Sequence, residues 1–288
     1  MKSEVGWGHQ WNSFWFRECP PHALAIVRIA FGGFLLSMWL LRWRAVPMLF
    51  SREGIVLPLF SSPLLTPPSA VGAWMLYACF LVLLACLTVG FYTRLSAGLC
   101  VFFFAYFWLL SLYQFNTSFD RLFFVILLAL TPSGAGKTLS VDAWRKKGSF
   151  LAWEPISILP QRLLAAQITA TYLGVGWQKL ALSSWQGGEV LAWGFMGKWA
   201  TPLAFWILRR NVPIAVYDFG VFLVKSFEVI MPFALWNKRL RRWAFAAGAL
   251  FHIAIALLLS IPWFLVLIPL YIVFLDPEDV RAWIEARR

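Results

Sequence analysis

Residues 22–42, HALAIVRIAFGGFLLSMWLLR, decide the fold. Between its ends the run carries one charged side chain, Arg28. A helix rising about 1.5 Å per residue over that length crosses the roughly 30 Å of bilayer hydrocarbon. Comparable apolar blocks recur at 70–90, 95–113, 118–132, 161–181, 213–235, 243–260 and 262–275, the last short and opened by Pro262. That predicts about eight spans. The composition agrees: 61% of residues are hydrophobic and 13% charged, whereas a soluble domain is about a quarter charged. The expected class is all-α, a polytopic membrane helical bundle forming a single domain over residues 22–276.

The first 21 residues are Trp-rich and amphipathic, without the apolar core or small-residue cleavage site of a signal peptide. They read as a segment lying in the membrane interface, and residues 277–288 as a cytoplasmic tail. The net charge of +12 is expected of loops facing anionic lipid rather than of a nucleic-acid binder. Arg94, the Lys137 and Arg145–Lys147 group, the Lys238–Arg242 group and the basic C-terminus all fall on one side if both chain ends are cytoplasmic. The expected topology is therefore N-in/C-in. The two long connections, 43–69 and 182–212, then lie outside and cap an outward-facing cavity, since loops of that length usually have a function.

TPSGAGKTLS (131–140) imitates a phosphate-binding loop through Gly136-Lys137-Thr138. The leading glycine of that motif would stand at Thr131, and the motif must follow a strand in an α/β domain. Here it follows the apolar run FFVILLALTP, ended by Pro132. The reading is a tight cytoplasmic connection, with no nucleotide. Cys19, Cys79, Cys86 and Cys100 lack metal-ligand spacing, and the three histidines, His9, His22 and His252, are scattered, so no metal is expected.

Ionisable groups inside spans are costly and face the bundle interior. Arg28 should pair with an acid or snorkel. Asp120 lies at a helix start that Asn116, Thr117 or Ser118 would cap. Lys225 and Glu228 are i,i+3 neighbours and read as a structural ion pair. In the fifth span Tyr172 and Lys179 share a stripe beside that of Gln167, Thr171 and Gln178. The seventh, AFAAGALFHIAIA (244–256), is rich enough in small residues to admit a close neighbour and hold His252 inside. Lys179 stands out. A lysine stripped of water gives up its proton more readily, as a general base near neutral pH must; a snorkelling lysine is the competing reading.

LPQRLLAAQITATYLGVGWQKLALSSWQGGEVL (159–191) resembles the signature of the HTTM family, the horizontally transferred transmembrane domain. That is the membrane part of vitamin K-dependent γ-carboxylases and their bacterial relatives. AIVRIAFGGFLL (25–36), GFYTRLSA (90–97), FNTSFDRLFFVILLALTPSGAGKTLSVDAW (115–144) and FHIAIALLLSIPWFLVLIPLYIVFL (251–275) resemble further family segments in the expected order.

The resemblance implies a lysine base that deprotonates a vitamin K-like or menaquinone-like quinol on the outer face, and Lys179 matches that position. Tyr172, Asp120 and His252 are implied as further catalytic groups. Asn116, Gln178, Trp177 and Trp185 are implied around the quinone, with an indole stacked on its ring. It further implies a bacterial inner membrane, contact with membrane lipid, and a peptide, protein or redox partner. Two features depart from the carboxylases. NTSFDRL (116–122) has no histidine, and the chain closes soon after its last span. Carboxylation of a protein substrate is therefore not expected to carry over. A lipid- or partner-binding module assisting peptide maturation or export is the alternative.

Overall fold

The computed structural model describes residues 6–57, 62–113 and 117–287; Asn116 lies outside them. Two compact units make up the chain, Met1–Leu164 with Leu275–Arg288, and Ala165–Phe274. Each is helical, apart from a two-residue antiparallel pairing of Glu18–Cys19 (β1) with Ile156–Ser157 (β2) and an isolated bridge between Ala200 and Leu259 among the described residues.

In the first unit, α1 (Trp7–Phe16) precedes α2 (His22–Leu41), and α3 (Val46–Phe50) follows. Then come α4 (Ala70–Val89), α5 (Thr93–Leu110) and α6 (Ser118–Leu130), each packed on its predecessor, with α4 against α2. Ser69 opens α4 by accepting from the Gly72 amide at 3.3 Å. Gly90 closes it in the left-handed region at φ 73°, where a side chain would be strained. Aromatic rings fill the core: the Trp39 ring centroid lies 4.7 Å from that of Phe80, edge-on, and Tyr77 Oη donates to the Trp39 carbonyl at 2.5 Å.

Arg28 is fully buried and takes neither expected role. Its guanidinium donates to the carbonyls of Leu87 (2.9 Å) and Thr88 (2.5 Å) in the last turn of α4, and to those of Ala135 (3.3 Å) and Leu139 (2.5 Å). Orphan carbonyls at a helix C-terminus attract a cation as a carboxylate would. The glycine-rich stretch thus leaves a helix, as its sequence predicts, and wraps around an arginine. Ser140 Oγ accepts from the Ala143 amide at 2.9 Å and starts α7 (Val141–Lys147).

Outside the apolar helices, β1 ties the N-terminal segment to residues 156–157 through β2. Arg17 pairs with Glu278 at 2.5 Å at the start of the C-terminal helix, Pro277–Glu285. That helix lies within the stretch read as a plain tail.

The 23-residue α8 (Leu159–Ala181) leads into the second unit. After it come α9 (Glu189–Met196), α10 (Pro202–Leu208), α11 (Ile214–Trp236) and α12 (Arg241–Leu258). The last apolar stretch, Pro262–Phe274, is no single helix: a 3-10 turn, α13 (Leu267–Leu270) and another 3-10 turn follow one another.

Among the described residues, five helices are long and apolar enough to cross a membrane: α2, α4, α5, α11 and α12. Of the other expected spans, α6 has 13 residues and α8 carries a polar sector. The connection 182–212 is largely folded, into a 3-10 turn, α9 and α10.

Candidate functional site

Tyr172 on α8, His252 on α12 and Tyr271 in the final 3-10 turn form a closed polar triangle inside the second unit. Tyr172 Oη lies 2.7 Å from His252 Nε2 and 2.5 Å from Tyr271 Oη, and Tyr271 Oη lies 3.0 Å from the same nitrogen. All three residues are buried. Gly248, one turn before His252, makes the approach possible: a Cβ there would sit 2.5 Å from Tyr271 Oη and 2.6 Å from Met231 Cε. Phe227 and Phe251, stacked with ring centroids 4.0 Å apart, wall the triangle. Nε2 donates or accepts in this triangle according to the tautomer of the ring, and the phenols can take either role. His252 Nδ1 is buried and has no hydrogen-bond partner among the described residues.

The second constellation lies two turns along the same face of α8, about 10 Å of helix rise from Tyr172. The Lys179 ammonium pairs with Glu228 Oε1 on α11, with side-chain exposures of 15% and 7%. It also sits 4.5 Å from the centroid of the Trp185 ring, within cation–π range. Gly176 lets α8 and α11 touch: a Cβ there would lie 3.4 Å from Glu228 Cβ. The SSWQGG loop closes over the pair. Lys225 Nζ donates to the Trp185 carbonyl at 3.1 Å, and Asp218 Oδ1 accepts from the Gly188 amide at 2.6 Å. Glu228 Oε2 remains buried and unpartnered.

The expected Lys225–Glu228 pair is therefore replaced. Helical side chains lean toward the N-terminus, so Lys225 extends away from Glu228, and Lys-before-Glu is the weaker order. Both residues instead serve contacts to the Lys179 region. Trp177 and Gln178 are exposed. Trp177, two residues before Lys179, points nearly opposite to it, and only Trp185 among the indoles named from sequence faces the lysine. Asp120 belongs to the first unit, where its Oδ2 accepts from the Thr117 amide (2.7 Å) and hydroxyl (2.9 Å) at the start of α6. That is the N-terminal cap its neighbourhood announced. Sequence reasoning missed Tyr271, although it is the one phenol in IPWFLVLIPLYIVFL (261–275).

The arrangement can do two things. The Lys179–Glu228 pair holds one transferable proton and no net charge, whichever partner carries it. The Tyr–His–Tyr triangle can relay a proton between phenol and imidazole. Among the described residues no group of three or more His, Cys, Asp or Glu stands ready for a metal.

Five apolar helices of spanning length and a buried ion pair within a helical unit define an integral membrane protein. The family model of the HTTM domain matches residues 16–278, nearly the whole chain. The chain belongs to that family, whose domain is a membrane domain associated with vitamin K-dependent carboxylase. No curated protein and no solved structure matches it.

Proposed function

We propose that this protein is a membrane enzyme acting with a quinol or related lipid-soluble cofactor, with Lys179 as the base. The observation that carries the proposal is Lys179 itself. It is largely withdrawn from solvent, paired to a carboxylate on another helix and covered by an indole. A proton taken up at Nζ is matched by transfer of the lysine's own proton to Glu228 Oε1, so the exchange leaves no uncompensated charge in an apolar setting.

The residues fit a quinone-type ring. Glu228 Oε2 and His252 Nδ1 are buried polar atoms without a hydrogen-bond partner among the described residues, suiting a ring with a hydroxyl or carbonyl oxygen at each end. Trp185 would stack on it. When bound, the cofactor would supply redox chemistry and a strong base on oxygenation. Tyr172 and Tyr271 hold the His252 ring in place through Nε2, and Trp185 of the 182–188 loop covers the Lys179 ammonium.

The same reading takes the chain as about eight spans with both ends cytoplasmic and the site outward, in a bacterial inner membrane, with a peptide or redox protein as the further partner. A non-catalytic module that binds lipid or a partner and assists peptide maturation or export is the second reading. It is favoured by one feature: Lys179 already has its partner.

Lipid extraction of gently purified protein, followed by mass spectrometry for quinones, separates the two. Stoichiometric quinone in the wild type, with an altered bound species or lost turnover in Lys179→Ala, supports the enzyme. Absence of quinone together with an unimpaired Lys179→Ala strain sinks it.

A further inference from the structure

The motif that imitates a nucleotide loop borders a cleft of about 650 Å³ in the first unit. Arg94 and Leu95 from the first turn of α5, Gly136 and Lys137 from the loop, and Arg145 and Lys146 from α7 line it. Its one carboxylate is already committed. Asp142 Oδ1 accepts from the Tyr92 amide, and Oδ2 from the Thr93 amide and hydroxyl, each at 2.8 Å. The start of α5 is thus capped by protein, and the cleft's cations face no free acid within it. Lys137 shares Glu154 with Lys147, at 3.5 and 3.0 Å. Arg94 and Lys146 make no ion pair among the described residues. Arg145 is held in place by the faces of Phe91 (5.3 Å) and Tyr92 (4.9 Å) and by a hydrogen bond from Nη2 to the Tyr92 hydroxyl at 3.3 Å, which leaves its other guanidinium donors for an oxyanion.

We propose that this cleft binds the phosphate of an anionic phospholipid headgroup. Four cations, one of them shared with Glu154, around one hydrogen-bonded carboxylate call for a multi-oxygen anion, and the surroundings favour one that arrives on a lipid. The cleft opens at the N-terminal end of α5, a helix of spanning length. Tyr92, Leu95 and the stacked pair Trp144–Phe150 present exposed apolar surface beside the cations. Apolar rings and aliphatic side chains next to Lys and Arg match the layering of a headgroup region. Gly136 lets the loop lie close enough to contribute Lys137: a Cβ there would collide with Thr93 Oγ1. The proposal is independent of the quinol reading.

The test titrates full-length protein in detergent with short-chain phosphatidylglycerol, short-chain phosphatidylcholine and inorganic phosphate, read by native mass spectrometry. Phosphatidylglycerol is expected to bind saturably and far more tightly than the other two. The exposed double variant Arg94→Gln/Lys146→Gln should weaken that binding roughly thirtyfold. Arg209→Gln/Arg210→Gln, an equal loss of charge in the second unit, should leave it unchanged. The charge-preserving Arg94→Lys/Lys146→Arg should retain it, which guards against simple misfolding. Undiminished binding in the Gln double variant, equal loss in the control or loss in the charge-preserving variant would overturn the proposal. So would phosphatidylcholine binding as tightly. Inorganic phosphate binding as tightly as the lipid would assign the cleft to the free ion instead.

Discussion

Tyr172 and His252 stand 80 residues apart in the chain and meet at 2.7 Å, both buried inside the second unit. Tyr271 closes the triangle and Gly248 makes room for it. Because Tyr271 remains 3.0 Å from Nε2, Tyr172→Phe should cost only about 0.6–2 kcal/mol, the range of a hydrogen bond between membrane helices. Gly248→Ala must move Tyr271 and Met231 together and should cost about 1–3 kcal/mol, as overpacking does. Unfolding in detergent should place Gly248→Ala below Tyr172→Phe. The reverse order would mean that the triangle does not set the packing.

The Lys179–Glu228 pair predicts a pattern of singles and doubles. Lys179→Met alone strands a buried carboxylate and should cost about 3–5 kcal/mol, while Lys179→Met/Glu228→Leu should recover most of the stability. A merely structural pair would regain function along with stability. If Lys179 is the base, the double variant will be folded yet without turnover or the wild-type quinone complement. Thermal unfolding and lipid mass spectrometry on the same samples read both.

The stripe on α8 that carries Tyr172 and Lys179 was legible in the sequence, because seven residues bring a helix back to nearly the same face. So was the Asp120 cap, a local contact with Thr117. Partner choice between helices was not. Glu228 had Lys225 three residues away and took Lys179 across α8 and α11 instead, which side-chain direction decides and spacing alone does not. Arg28 was read as pairing with an acid or snorkelling because backbone carbonyls leave no mark in a sequence. Tyr271 escaped notice because Pro262–Phe274 reads as one short apolar span, whereas alternating 3-10 and α turns aim the phenol inward.

Outside the helices of spanning length, Arg17 and Glu278 tie the N-terminal segment to the C-terminal helix. The hydrogen bond from Arg17 is the main cause that holds the Glu278 carboxyl below its ordinary value of 4.5. A depressed carboxylate stabilises the fold above its unfolded value, and that contribution is lost as pH falls through the lower folded one. Both side chains are substantially exposed, so the effect should stay under about 1 kcal/mol. Arg17→Gln should lower the unfolding midpoint slightly at neutral pH and converge with the wild type in acid. A difference that persists unchanged at low pH would rule out the ion pair as its source.

Arg28 makes the strongest stability prediction in the first unit. Its planar fork reaches α4 on one side and the 133–140 loop on the other. Lysine offers its donors from a single point and cannot span both. Arg28→Lys should therefore leave at least two buried carbonyls unpaired and cost about 3 kcal/mol or more, at 1–3 kcal/mol for each orphaned group. The damage should be local first. Hydrogen exchange should accelerate at the end of α4 and through residues 133–140 before it changes in α11 or α12. Those residues carry the backbone of the basic cleft, so anionic-lipid binding should weaken in step. Uniform acceleration across both units would show that Arg28 supports the chain as a whole rather than this loop.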